Sequence, residues 1–169
     1  IGPYLGVSQS PIGYIKPTVT FGDELKINIS GIEIELYHAP GETNDQLFVW
    51  LPKQKALMPG DNIYRTFPNL YTIRGTPHRD VKSWIRSLDH MRALNPEYLL
   101  PSHTKPLSGP DVMETLTIYR DAIQYVHDQT IRLMNKGYSA DEISNLIELP
   151  SEVSQSPFVR EFYGTIRWS

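Results

Sequence analysis

Residues 56–62 read Ala-Leu-Met-Pro-Gly-Asp-Asn, and the way this stretch ends decides the fold. A short apolar run reads as a buried strand, Pro59-Gly60 stops it, and Asp61 is delivered at its tip. The same construction recurs on both sides. Upstream, Ile32, Ile34 and Leu36 alternate with polar residues until His38-Ala39-Pro40-Gly41-Glu42-Thr43, where Pro and Gly force a turn that presents Glu42. Downstream, Tyr98-Leu99-Leu100 runs into Pro101-Ser102-His103-Thr104-Lys105-Pro106, a proline-framed loop that carries His103. Strand ends are where α/β proteins place ligand sites.

The remaining chain fits an α/β layer followed by helices. Leu25, Ile27 and Ile29 alternate toward Ser30-Gly31, so a hairpin with the Ile32–Leu36 strand is predicted. Leu47-Phe48-Val49-Trp50-Leu51 is continuously apolar, which suits a strand buried on both faces. Val81, Trp84, Ile85, Leu88 and Met91 fall at helical spacing, predicting a helix from about Arg79 to Leu94 that Asn95-Pro96 ends. After Gly109-Pro110 the pattern becomes helical throughout. A long helix is predicted over Asp111–Asn135, with Lys136-Gly137 as its stop. Ser139-Ala140-Asp141-Glu142 is a capping box opening a helix through Leu149, and more helix is expected after Pro157. The division expected is residues 1–109 as an α/β part and 110–169 as an all-helical part.

Sixteen basic and nineteen acidic side chains give no basic excess, which argues against a nucleic-acid partner. There is no cysteine, so any metal must be held by His, Asp or Glu. No apolar run reaches membrane-spanning length. Asn28-Ile29-Ser30 is a glycosylation sequon. Taken singly, each candidate ligand admits a plainer reading: Glu42 as an acid on an exposed turn, Asp61 as a cap on the next turn, His103 as a structural imidazole.

Glu, Asp and His at three strand ends, in this order, resemble the later metal motifs of the metallo-β-lactamase superfamily. Where that superfamily usually has His in the first motif, this chain has Glu42, which resembles the alkylsulfatases of the SDS-hydrolase type. Asn69-Leu70-Tyr71-Thr72-Ile73-Arg74-Gly75 is similar to the segment of that family that lines the sulfate pocket. Arg79-Asp80, Tyr125-Val126-His127-Asp128-Gln129-Thr130, Gly137-Tyr138 and Tyr163-Gly164 also resemble it. The resemblance implies the second half of a metallo-β-lactamase αββα sandwich followed by an all-α dimerisation region. It implies Glu42 as the ligand of one zinc, Asp61 as the carboxylate bridging two, and His103 as a ligand of the second. Asn69 and Arg74 are implied as sulfate-holding residues, and Tyr14 is a further candidate to reach the pocket. The family more often has Glu at the place of Asp61, and often a second His at the place of Thr104.

The superfamily's earlier His-x-His-x-Asp-His motif is missing: His38, His78, His90, His103 and His127 include no such spacing. A start at Ile1 and an end in the apolar-aromatic segment Phe162–Trp168 lead to the expectation that this is a C-terminal portion of a longer enzyme. A companion segment or chain would then supply the remaining ligands of a two-Zn2+ site. The expected activity is hydrolysis of a small-molecule sulfate ester by a homodimer. The alternatives are another hydrolase of this fold, acting on a thioester, lactone or phosphodiester, and a non-catalytic assembly protein.

Overall fold

The computed structural model describes Gly13, residues 15–72 and residues 77–169. Tyr14, Ile73, Arg74 and Gly75 therefore lie outside the described residues. Six strands form one sheet: β1 (Glu24–Ile29), β2 (Ile32–His38), β3 (Leu47–Leu51), β4 (Ala56–Met58), β5 (Tyr98–Leu99) and β6 (Leu107–Ser108). Neighbours in sequence are neighbours in the sheet, and every pair is antiparallel except β4–β5. The β1–β2 hairpin turns at Ser30 and Gly31, with φ values of 52° and 85°, the positive pair that a tight two-residue turn needs.

The parallel β4–β5 pair requires a crossover, and helix α1 (Val81–Ala93) makes it. The helix starts at Val81 because the Asp80 carboxylate accepts from the Lys82 and Ser83 amides at 3.0 and 3.2 Å. The Ser83 hydroxyl bonded to it holds the Asp80 carboxyl below the usual range. The inward face of α1 brings Trp84, Leu88 and Met91 onto Phe48, Trp50 and Leu57 of the sheet. Full burial stabilises each such side chain by roughly 1.5–3 kcal/mol.

The same core continues into α2 (Pro110–Met134) through Val112, Leu116, Tyr119 and Ile123, all fully buried. Across the α1–α2 seam Arg120 donates to Asp89 at 3.0 Å and Arg92 to Thr117 at 3.2 Å. Helix α3 (Ala140–Leu146) opens with Ser139 and Glu142 as a capping box.

Three expectations are corrected. β3 is not buried on both faces: Phe48 and Trp50 are buried, but Leu47, Val49 and Leu51 only partly. Helix α1 covers the first face, while the opposite face keeps an apolar row from β1 to β3 that is half-buried at Leu25, Ile27, Ile34, Leu36 and Val49. On the same face Ile29 and Ile32 are 55% and 46% exposed. Helix α3 ends at Leu146 rather than Leu149, since Pro150 disfavours helical backbone just before it and Ile147 is already extended. After Pro157 there is no α-helix; a short one, α4 (Ser151–Ser154), precedes it. Beyond it the backbone bonds to Phe67 instead, with the Phe67 amide on Arg160 O and the Gly164 amide on Phe67 O, both at 3.0 Å.

Candidate active site

β2, β4 and β5 run in one direction, so their carboxyl ends meet at one edge of the sheet. Each end breaks in a way its residues dictate. At β4, Gly60 takes a φ of 60°, a left-handed conformation that lets the chain turn at once and lift Asp61 outward. Asn62, next to it, goes inward and is wholly buried. Its side-chain amide donates to Ala39 O at 2.7 Å and accepts from the Glu42 amide at 3.1 Å. Its own carbonyl takes the Trp84 indole N–H at 3.1 Å. The Ser87 hydroxyl donates to Pro40 O at 2.8 Å. The Glu42 turn is therefore hung on Asn62 and on α1.

After β5, Leu100 keeps one ladder bond to Leu57 O at 2.8 Å before Pro101 ends the strand. His103 follows, and Thr104 sits at a φ of 71°. A β-branched residue there stores strain of order 1–3 kcal/mol. Glycine would relieve it while gaining about 0.4–1 kcal/mol of unfolded-state freedom. Thr104→Gly is accordingly expected to raise stability by about 1 kcal/mol, read from denaturant unfolding.

Glu42, Asp61 and His103 all line one cavity of about 500 Å³. His103 Nε2 lies 3.5 Å from Asp61 Oδ1. On the same lining, Glu42 Oε1 is paired with Arg79 Nη2 at 2.7 Å. Burial pushes the Glu42 carboxyl up, Arg79 pulls it back, and Asp61 adds to the rise. Tyr64, Thr66 and Thr104 share the lining, and Phe162 and Tyr163 form an aromatic wall. Tyr163 stands edge-on to Tyr64 with centroids 5.3 Å apart. Burial drives the Tyr64 phenol well above its usual range, so it stays protonated.

Asn69 does not line this cavity. It is buried behind Tyr64, its amide donating to the Tyr64 hydroxyl at 3.2 Å and its carbonyl accepting from Arg79. Its side-chain oxygen has no partner among the described residues. Arg74 lies outside them. Asn62, Tyr64 and the Phe162 wall carry no signal of their own in the sequence, and the Arg79-Asp80 string carries no hint that its arginine meets Glu42.

The donor types suit a zinc-like ion, but the set is incomplete. Two ligands on a tetrahedral zinc at ~2.0–2.1 Å stand about 3.4 Å apart, close to the separation of Asp61 and His103. Among the described residues no three His, Asp or Glu side chains group closely enough to hold a metal ion. Asp61 and His103 have the chemistry and spacing of two members of a larger ligand set, and Glu42 has the chemistry of a third.

Residues 3–103 match the metallo-beta-lactamase superfamily. The chain is 40% identical over 159 residues to a linear primary-alkylsulfatase of Pseudomonas sp., covering 92% of this chain and 30% of that protein. It is 29% identical over 165 residues to an alkyl/aryl-sulfatase of Saccharomyces cerevisiae, covering 94% of this chain and 26% of that protein. The solved structure of a stereoselective inverting sec-alkylsulfatase of Pseudomonas sp. superposes with a TM-score of 0.82 at 28% identity, over 90% of this chain and 25% of that one. The chain thus spans less than a third of the length of these relatives. The chain belongs to the metallo-beta-lactamase superfamily, and within it its similarity is to alkylsulfatases.

Proposed function

We propose that this chain supplies half of a dinuclear zinc site that hydrolyses alkyl sulfate esters to an alcohol and sulfate. The observation that carries the reading is the convergence of Glu42, Asp61 and His103 on one cavity flanked by Phe162 and Tyr163. Glu42 would hold one ion, His103 the other, and Asp61 would bridge both. Lewis acidity and the acidification of a water molecule would come from the bound ions. The chain's own residues do the rest. The Arg74 guanidinium would offer a planar fork to sulfate oxygens, while Asn69, buried behind Tyr64, would hold that segment in place rather than touch the ester. The aromatic wall gives an alkyl group an apolar surface beside the ester.

The remaining ligands come from a companion segment bearing His-x-His-x-Asp-His. Its sheet would cover the half-exposed face of β1–β3, completing the sandwich. The helical region joins two complete subunits, a reading supported by Ile131, Met134, Tyr138, Leu146 and Trp168, which are between 43% and 68% exposed. Among the described residues no helix is long and apolar enough to cross a membrane.

The test is metal analysis of the full-length protein alongside turnover of primary and secondary alkyl sulfates. Zinc and sulfate release are expected together. Chelation abolishes turnover, and Asp61→Ala loses both the metal and the activity. Full turnover by a metal-free preparation would sink the proposal.

A further inference from the structure

Arg79 touches two parts of the site at once. Its Nη2 reaches Glu42 Oε1 at 2.7 Å, and its Nη1 donates to the Asn69 carbonyl. The guanidinium also lies 6.0 Å from the centre of the Trp84 ring, which bounds its movement. The Arg79 and Glu42 side chains are only 11% and 15% exposed, so little water screens the pair. Two contacts in different directions need a rigid, multi-donor cation, which a guanidinium is and an ammonium is not.

We propose that Arg79 is a positioning residue: it occupies one oxygen of Glu42, leaves the other for a metal ion, and ties that carboxylate to the segment bearing Asn69. This rests on the reading of Glu42 as a metal ligand. Groups that hold a ligating carboxylate from behind commonly change metal affinity 10–100-fold when removed. The opposing view makes Arg79 a competitor that fills the place of a cation, and it predicts the opposite sign.

The experiment uses the full-length protein, with zinc affinity measured by competition against a chelator and folding followed by thermal unfolding. Arg79→Ala is expected to weaken zinc binding about 10–100-fold. Arg79→Lys keeps a charge for Glu42 but spans only one contact. It should restore zinc affinity and kcat while KM for an alkyl sulfate stays raised, because the Asn69 segment is released. In a Glu42→Gln background, Arg79→Ala should change zinc affinity no further. If Arg79→Ala does not fold, the Arg79→Lys split between kcat and KM carries the test alone. Unchanged or tighter zinc binding by Arg79→Ala overturns the proposal, as does an Arg79→Lys protein with wild-type KM. A wild-type protein that binds no zinc overturns it together with the reading of Glu42.

Discussion

Gly41→Ala is expected to lower the stability of the fold by about 3 kcal/mol, at the upper end of what overpacking costs. A Cβ at position 41 would overlap Asn62 Oδ1 and lie 2.7 Å from Asn62 Cγ and 2.9 Å from Trp84 Cδ1. Neither neighbour can yield cheaply. Rotating the Asn62 amide would strand the Glu42 amide and Ala39 carbonyl that it serves, and unpaired buried groups cost about 1–3 kcal/mol each. Moving Trp84 would open the centre of the core. The turn itself must therefore shift, carrying Glu42 away from Arg79. A cycle with Asn62→Ala checks this account. The second change removes the overlapping atoms, so Gly41→Ala should cost at least about 1 kcal/mol less in that background, as coupling between touching residues allows. Additive losses in denaturant unfolding would refute the steric explanation.

Gly164→Ala should be as damaging but more local. A Cβ there would overlap the Pro68 carbonyl and lie 2.7 Å from the Asn69 amide nitrogen. These are backbone atoms, which have no rotamer to escape into. The expected loss is about 2–3 kcal/mol, concentrated where residues 160–164 dock on Phe67. Faster hydrogen exchange at the Phe67 and Gly164 amides is the direct readout, since their bonds join the two segments. Under the proposed function, turnover of an alkyl sulfate by the full-length protein should fall as well, because Phe162 and Tyr163 lose their seat beside the cavity. Gly22→Ala, where an added Cβ meets nothing within 4 Å, is the matched control and should be neutral. An unchanged exchange pattern in Gly164→Ala would count against the docking described.

Glu42, Asp61 and His103 were legible because each follows an apolar strand broken by Pro or Gly, a pattern confined to a few adjacent residues. The β1–β2 hairpin was legible for the same reason, since alternation and Ser30-Gly31 are local. What escaped is tertiary. Arg79 finds Glu42 across 37 positions, and no local pattern marks an arginine for a distant carboxylate. Asn62 sits beside Asp61 in sequence yet points the opposite way, a choice made by the turn's geometry. β3 reads as doubly buried because an apolar run looks the same whichever of its faces is covered. The absent helix after Pro157 has a similar cause: Phe158 and Val159 are buried, and the backbone beyond them spends its hydrogen bonds on Phe67.

The half-exposed apolar face of β1–β3 gives the order of synthesis a weight that equilibrium does not. Residues 24–51 leave the ribosome within a few seconds at about 5–20 residues per second. If the proposed companion segment precedes them, its sheet is already waiting, and the sticky face is covered almost as it forms. Were the order reversed, the same face would wait uncovered through the making of the whole partner sheet. A surface prone to association would then be exposed longest when its neighbours on other ribosomes are closest. Chain order would act as the fold's own guard against aggregation.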